Sequence, residues 1–344
     1  MKAHIQKYIL NFKKPSGTSR GVLTVKETWF LVLEKNNKKG IGECGMLRGL
    51  SIDDRPDFEE KLEWVCQNIN FGKDWLWENL IEFPAIQFGI EMAFLSLESE
   101  NPFELFPSEF TNFKKSVNIN GLVWMGEKAF MKQQIETKIA EGFKCIKLKI
   151  GAIDFDAELD LLRFIRANFT ADQIEIRVDA NGAFDTNSAH GKLKQIAAFE
   201  IHSIEQPIAK NNIKIMAELC KTSPIPIALD EELIGVFSIK KKKALLLKIR
   251  PQYIILKPSF VGGFRGTQEW ILIAEKLNIK WWITSALESN IGLNAIAQWT
   301  YLKQNPLPQG LGTGGLYSNN IACPLEVLSG QLWYNSEKKW DFDL

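Results

Sequence analysis

The stretch Cys145-Ile146-Lys147-Leu148-Lys149 is a short apolar run that closes on a charge, and four more runs like it follow. Residues 174–179 read Ile-Glu-Ile-Arg-Val-Asp, 201–205 Ile-His-Ser-Ile-Glu, 227–230 Ile-Ala-Leu-Asp and 253–257 Tyr-Ile-Ile-Leu-Lys. The closing charges Lys149, Asp179, Glu205, Asp230 and Lys257 are spaced by 30, 26, 25 and 27 positions. One strand, one helix and two short loops need about 25–30 residues. A repeated strand–helix unit closes into a barrel, and such barrels do their chemistry at the C-terminal ends of the strands. The rhythm therefore predicts an α/β barrel of modified (β/α)8 type, with three carboxylates and two lysines converging on one mouth.

Working outward, the barrel begins at Ser116–Gly121 in this reading. Helices are expected over 126–141, 154–168, 188–198, 213–221, 234–247, 267–277 and 293–302. Lys280–Thr284 fills the seventh strand position, and Gln309–Gly314 falls where the eighth strand or its loop belongs. The part before residue 113 lacks this rhythm. Thr24–Leu33 is β-rich, the Asn36–Gly40 turn follows, and Ile41–Cys44 completes a hairpin. Helices are expected over 54–68, opened by Pro56, and over 84–98, with Ile86, Ile90, Ala93, Phe94 and Leu97 on one face. Strands followed by helices indicate a small α+β capping domain. Residues 1–112 are read as that cap, completed by the tail 317–344, and 113–316 as the catalytic barrel.

The length of 344 residues suits a barrel plus a smaller domain. With 45% hydrophobic and 24% charged residues and a net charge of +1, neither nucleic acid nor an anionic membrane is an expected partner. The Lys240–Lys243 run reads as the solvated side of a barrel helix. The five cysteines (Cys44, Cys66, Cys145, Cys220 and Cys323) are scattered and form no Cys-x-x-Cys pair. That argues against a disulfide framework or a zinc site and suits a reducing cytoplasm. No segment approaches about 18 consecutive apolar residues, and no leader follows Met1, so the expected location is cytoplasmic. Oligomeric state is not legible.

Asp179, Glu205 and Asp230 end consecutive strands. Hard oxygen ligands on a barrel rim suit Mg2+, with Mn2+ of overlapping preference. Lys147 and Lys149 lie two apart and share a face, so mutual repulsion is expected to depress both pKa values and leave Lys149 partly neutral, able to act as a base. Lys257 should stand across the mouth from Lys149. Arg177 and Asn181 share the inward parity of Asp179. Asn181 could bond a ligand or a water, and Arg177 reads as a buried partner of the metal carboxylates.

Together these elements resemble the muconate-lactonising-enzyme subgroup of the enolase superfamily. The matching motifs are Lys147-x-Lys149, Asp179-Ala180-Asn181-Gly182, Glu205-Gln206-Pro207, Leu229-Asp230-Glu231 and Leu256-Lys257-Pro258. The use of a Lys base with Mg2+ in this superfamily is a general property. A narrower resemblance is to the o-succinylbenzoate synthase family. It rests on Pro15–Gly21 (containing Ser19 and Arg20), Ser285–Asn290 and Gly310–Gly314. The resemblance implies a lid over the site at residues 15–21. It also implies that Lys147, Asn181, Ser19, Arg20, Ser285, Leu287, Glu288, Gly312 and Thr313 either touch the substrate or support the groups that do, with a structural role for the glycines, and that the substrate is a small-molecule carboxylate. The implied reaction, in menaquinone biosynthesis, is syn loss of water after removal of the proton α to a carboxylate. Lys149 would be the base, Lys257 a cation beside the enolate, and Mg2+ would stabilise its charge. The three histidines, His4, His190 and His202, end no barrel strand, which excludes a site with a late-strand His base. Racemisation of an N-acylamino acid or epimerisation of a dipeptide would use the same lysines. An epimerase would often carry an Asp-x-Asp pair where this chain has Gly312–Leu316. A non-catalytic metal-binding relic is the alternative of another class; the presence of all five charges stands against it.

Overall fold

The structure, a computed structural model, describes residues 1–18 and 21–342. The chain opens with strands β1 (Lys2–Thr18), β2 (Gly21–Lys35) and β3 (Lys38–Cys44), which form an antiparallel sheet in that order. The expected hairpin is β2–β3, and Asn36 and Asn37 take the positive φ values that a tight turn demands. Strand β1 was not expected. Lysines and Asn11 interrupt its apolar positions, and its long pairing with β2, from Lys2↔Glu34 to Thr18↔Gly21, makes it a strand.

Helices α1 (Phe58–Asn68), α2 (Lys73–Glu78) and α3 (Pro84–Glu98) follow. The first starts later than the expected residue 54, because Asp54 is spent on the preceding loop, where its carboxylate accepts from the Gly49 N–H at 2.8 Å and from Arg48 at 2.7 Å. In α3, Ile86, Ile90 and Ala93 join Trp29, Leu31 and Leu33 of β2 in one core, while Phe88 and Met92 join Phe30 and Val32 in the larger core shared with the barrel. Alternation in the strand and helical periodicity in α3 thus place the cap between two cores. Contact between β3 and α3 is so close that a Cβ on Gly42 would lie 1.8 Å from the Gly89 carbonyl oxygen.

Next come β4 (Val117–Asn118), β5 (Gly121–Val123), α4 (Lys128–Ala140), β6 (Cys145–Lys149), α5 (Phe155–Asn168), β7 (Glu175–Asp179), α6 (Ala189–Ala197), β8 (Ser203–Glu205), α7 (Ile213–Thr222) and β9 (Ile227–Leu229). After these run α8 (Ile239–Ile249), β10 (Tyr253–Leu256), α9 (Pro258–Val261), α10 (Gly263–Lys276), β11 (Lys280–Ile283) and α11 (Asn290–Leu302), then the hairpin β12 (Leu325–Leu328) and β13 (Gln331–Tyr334). Strands β5 to β11 form one seven-stranded parallel sheet in sequential order. Its edges are joined by Gln309 and Gly310, which bridge in parallel to Ile119 and Thr284. The fold is therefore a modified (β/α)8 barrel whose eighth strand is reduced to two residues.

Four expectations need correction. The segment 116–121 is divided: Val117–Asn118 pairs with β13, and the barrel strand starts at Gly121. The helix expected over 234–247 begins at Ile239, because Gly235 takes a left-handed φ of 85° and Ser238 caps the later start. Helix α10 begins four residues earlier than expected, since Glu91 of α3 accepts the N–H groups of Phe264 and Arg265 at its N-terminus. Within the lysine run, Lys242 is buried and donates to Glu269 at 2.8 Å, while Lys240, Lys241 and Lys243 are exposed.

Past the barrel, residues 316–319 run beside β1: the Lys13 N–H donates to the Leu316 carbonyl and the Ser318 N–H to that of Asn11, both at 2.9 Å. Trp340 stacks on Phe103, and Phe342 packs edge-on against Phe30. Among the described residues no helix is long and apolar enough to cross a membrane.

A Gly42→Ala substitution must force β3 from α3, and a loss of about 3 kcal/mol or more in urea-unfolding free energy is expected. An unchanged unfolding midpoint would refute the close packing.

Candidate active site

Parallel pairing places Lys149 opposite Asp179 and Asp179 opposite Glu205, so one cross-strand row carries three charges. Ala228 pairs with Glu205, and Asp230 follows two residues on, with inward parity. Strand β10 is four places from β6 in a barrel of eight positions, which sets Lys257 on the far side of the mouth from Lys149. All five side chains are buried, as is Lys147.

The six groups interlock. The Lys147 ammonium donates to Glu205 at 2.8 Å and to Asp179 at 3.2 Å. Lys149 donates to Asp179 at 2.5 Å and to the Asn181 side-chain oxygen at 2.8 Å. Lys257 donates to Asp230 and lies 4.0 Å from Glu205. Asn181 in turn donates to Glu231 at 3.0 Å. Asn181 and Gln206 hold positive φ values of 45° and 38°, turning the chain sharply where β7 and β8 end. Gln206 is fully buried and bonds Glu232 and the Ile208 carbonyl, fixing the loop after Glu205.

The electrostatics differ from the expected mutual depression of two lysines. Burial lowers the Lys149 pKa, and the nearby Lys147 and Lys257 charges add to that against the pull of Asp179 and Glu205. Burial also acts against charged Lys147, but Glu205 and Asp179 outweigh it and its pKa rises. Lys257 rises too, where Asp230 and Glu205 outweigh burial. Burial and the charge of Asp179 push Glu205 up to about 8. Its Oε1 is buried and accepts no hydrogen bond among the described residues. The three carboxylates are drawn onto ammonium groups, and no cluster of three acidic, His or Cys side chains among the described residues gathers on one cation position.

Above this cluster is a cavity of about 440 Å³. Lys147, Lys149, Asn181 and Lys257 form its floor; Ser285, Leu287, Gly312 and Thr313 line its wall. Thr313 donates to Ser285 at 2.9 Å, and Leu287 stands at a φ of 64°. Glu288 is different: it is fully buried, accepting from Ser259 at 2.6 Å and from the Ala286 N–H at 2.7 Å, and is absent from the lining. Ser19 and Arg20 lie outside the described residues; their flanks reach the site, since Gly21, Val22 and Leu23 line the cavity and Gly17 bridges Met125.

The sequence reading missed the loop after β3, where Leu47, Arg48, Gly49 and Leu50 close the cavity from the cap side. It also missed Asn120 and Thr284, which line the cavity with side-chain oxygens that are buried and without a hydrogen-bond partner among the described residues. Thr284 ends the apolar run of β11, so the rule that found the five charges would have found it had neutral strand ends been counted.

Arg177 does not serve the carboxylates. It points down the barrel, donating to Glu175 at 2.7 Å and to the Pro308 carbonyl at 2.8 Å, with its guanidinium 4.2 Å from the Trp282 ring. Beneath it His202 packs on Tyr253 and Trp282, and its Nδ1 pairs with the Ser203 hydroxyl.

The profile of the family described as Enolase C-terminal domain-like matches residues 130–328, and the chain belongs to that family. Within it, the chain is 48% identical over 94% of its length, and 96% of the relative's, to an o-succinylbenzoate synthase of Desulfotalea psychrophila. A crystal structure of MenC from that organism superposes with a TM-score of 0.86 at 43% identity, covering 97% of this chain and 99% of that one. A dipeptide epimerase of Enterococcus faecalis, solved with Mg and the dipeptide L-Leu-L-Tyr, shares the fold with a TM-score of 0.84 at 19% identity, covering 96% of each chain.

Burial lowers the His202 pKa to about 4, against the attraction of Glu175 and helped by the charges of Arg177 and Lys280. Between about 4 and the ordinary 6.5 the unfolded chain therefore binds the extra proton. This contribution to stability is complete above pH 6.5 and is lost as the pH falls toward 4, by up to about 3 kcal/mol. Urea titrations at pH 7 and pH 5 should show a loss in the native chain that is reduced in His202→Phe; equal losses in both would refute it.

Proposed function

We propose that this chain is a divalent-metal-dependent o-succinylbenzoate synthase, a lyase that converts 2-succinyl-6-hydroxy-2,4-cyclohexadiene-1-carboxylate to 2-succinylbenzoate and water in menaquinone biosynthesis. The observation that carries this reading is the near-full-length relationship to the D. psychrophila synthase, joined to a lysine–carboxylate cluster beneath a cavity of substrate size. In this reading residues 1–112, completed by the tail 317–344, are the capping domain, and residues 113–316 are the catalytic barrel.

The residues present suit a cation. Glu205 keeps a buried oxygen without a hydrogen bond among the described residues, and burial with the Asp179 charge raises its pKa; a bound cation would relieve both. Asp179, Glu205 and Asp230 would hold Mg2+, or Mn2+, which share a preference for such oxygens. When bound, the ion supplies positive charge where negative charge develops on the substrate carboxylate. Lys149, neutral, takes the proton from the ring carbon bearing that carboxylate. The C–H electron pair moves into the enolate, then expels the β-hydroxyl. Lys149 returns its proton to the departing oxygen, so water leaves, the ring becomes aromatic and the lysine is neutral again. Lys257, on the opposite strand, stays an ammonium and faces the developing charge. Lys147 bridges Asp179 and Glu205 from below. Ser285, Leu287, Gly312 and Thr313 shape the wall against the succinyl arm, and Ser19 and Arg20 are assigned to the lid.

The same lysines would serve an N-acylamino acid racemase or a dipeptide epimerase. None of the described residues lining the cavity is acidic, so a dipeptide ammonium would lack a counter-charge there. That favours a substrate with negative and neutral groups only. The five cysteines are unpaired, which fits the cytoplasm in which we place the reaction.

The test is turnover of the cyclohexadiene carboxylate with Mg2+, followed by formation of the aromatic product. Lys149→Ala is expected to lower kcat by about 10³-fold or more. Chelation with EDTA should abolish activity, and Mg2+ or Mn2+ should restore it. Silence with this substrate, together with deuterium exchange into N-acylamino acids, would replace the synthase by the racemase.

A further inference from the structure

One carboxylate of the cap reaches into the barrel and plays no part in the chemistry above. Glu43, near the end of β3, is completely buried. It accepts the Ser289 N–H at 2.9 Å, the Ser289 hydroxyl at 2.5 Å and the Gly292 N–H at 2.8 Å, all at the N-terminus of α11. Its fourth bond, from the Thr28 hydroxyl at 2.9 Å, stays within the cap. Lys26, also buried, holds its ammonium 4.0 Å from Glu43 and has no hydrogen-bond partner among the described residues. This is a charge pair buried at the seam of the two domains, with its negative member on a helix N-terminus, where the helix dipole favours it.

The segment that Glu43 holds continues directly into the cavity wall. Ser285, Ala286 and Leu287 line the cavity, and Leu287 occupies a backbone conformation that a leucine seldom adopts. Such a conformation persists only when its surroundings over-determine it. Three restraints do so here. The Tyr317 hydroxyl donates to the Leu287 carbonyl at 2.7 Å, Glu288 ties the segment to Ser259 just beyond Lys257, and Glu43 anchors Ser289. Only Glu43 comes from the cap sheet.

We propose that Glu43, with Lys26 as its charge partner, is a positioning residue that makes the shape of the substrate wall at residues 285–287 depend on docking of the cap. The cap then contributes to binding twice: directly through its loops over the cavity, and at a distance through the N-terminus of α11. A barrel whose cap is displaced loses the wall against which the distal arm of the substrate rests, although its lysines and carboxylates remain in place.

The experiment compares native protein with Glu43→Gln, which keeps the shape of the side chain but offers a single acceptor oxygen. The Lys26→Met/Glu43→Gln double variant removes both charges and leaves no uncompensated ammonium, so it tests the same point if the single variant does not fold. Hydrogen exchange across residues 285–292 is expected to speed up by about tenfold, with exchange in the β2 core unchanged. KM for the cyclohexadiene carboxylate should rise by about tenfold with kcat within about twofold, the split that a lost wall contact predicts. Thr28→Val, which removes only the bond inside the cap, should leave both constants alone. A folded variant with native exchange at 285–292 and native KM overturns the proposal, as does an equal fall in stability with no KM change. The KM arm rests on the synthase reading and the exchange arm does not. Native protein inactive on this substrate, with faster exchange in the variant, would therefore sink the synthase and leave the role of Glu43 standing.

Discussion

A buried charge must be compensated within hydrogen-bonding distance, and the mouth of this barrel is organised by that requirement. Three carboxylates and three ammonium groups sit below the surface on strands β6 to β10, each within reach of an opposite charge. Parallel register delivers them: because Lys149, Asp179 and Glu205 lie in one row, their side chains emerge at one height on adjacent strands. A slip of one residue in any of these strands would turn its charge outward into the apolar layer beneath the helices. The same register that seals the barrel core through Ile146, Leu148, Ile176 and Val178 therefore also assembles the site.

Function requires that the compensation be exchangeable. In the proposed reaction a cation and an anionic substrate would take over contacts that the lysines and carboxylates now make with each other. The rigid base lies below. Arg177 is sandwiched between Glu175 and the Trp282 ring, and His202 packs under it against Tyr253, so the lower barrel is filled. The cap contributes in a related way. Glu91 of α3 takes the N-terminus of α10 and Glu43 of β3 takes that of α11, so two barrel helices are capped by carboxylates from another domain. These contacts join the packing of Phe30, Val32, Phe88 and Met92 in tying the cap to the barrel.

Legibility followed the range of the interaction. The helix at 84–98 was readable to the residue because Pro84 starts it and its apolar positions recur with helical period. The five strand-ending charges were readable because each closes a run of apolar residues on its own strand. The start of α10 was misjudged by four residues because Glu91, which accepts its first N–H groups, lies far away in the chain; α11 begins three residues before its expected start, on its local cap Ser289. Arg177 was misassigned since parity tells which face a side chain takes, not whether it turns toward the mouth or the base; Glu175 and Trp282 decide that. For Glu288 the sequence left open whether it touches substrate or supports the wall; in the fold it is held inside the wall by Ser259. The pKa expectation for Lys147 failed because repulsion between neighbours on one strand is local, whereas Glu205, from two strands away, dominates it.

Taken alone, the sequence determined the repeating strand–helix order, the separate α+β cap and the identity of the charges at the strand ends, because periodicity and spacing are properties of neighbouring residues. The tertiary structure decided closure of the barrel by Gln309 and Gly310, the pairing of each lysine with its carboxylate, the cavity wall contributed by Leu47–Leu50, and the grip of Glu43 on α11. Each of these joins groups far apart in the chain, and only the packed fold sets the distances and burial on which their energies depend.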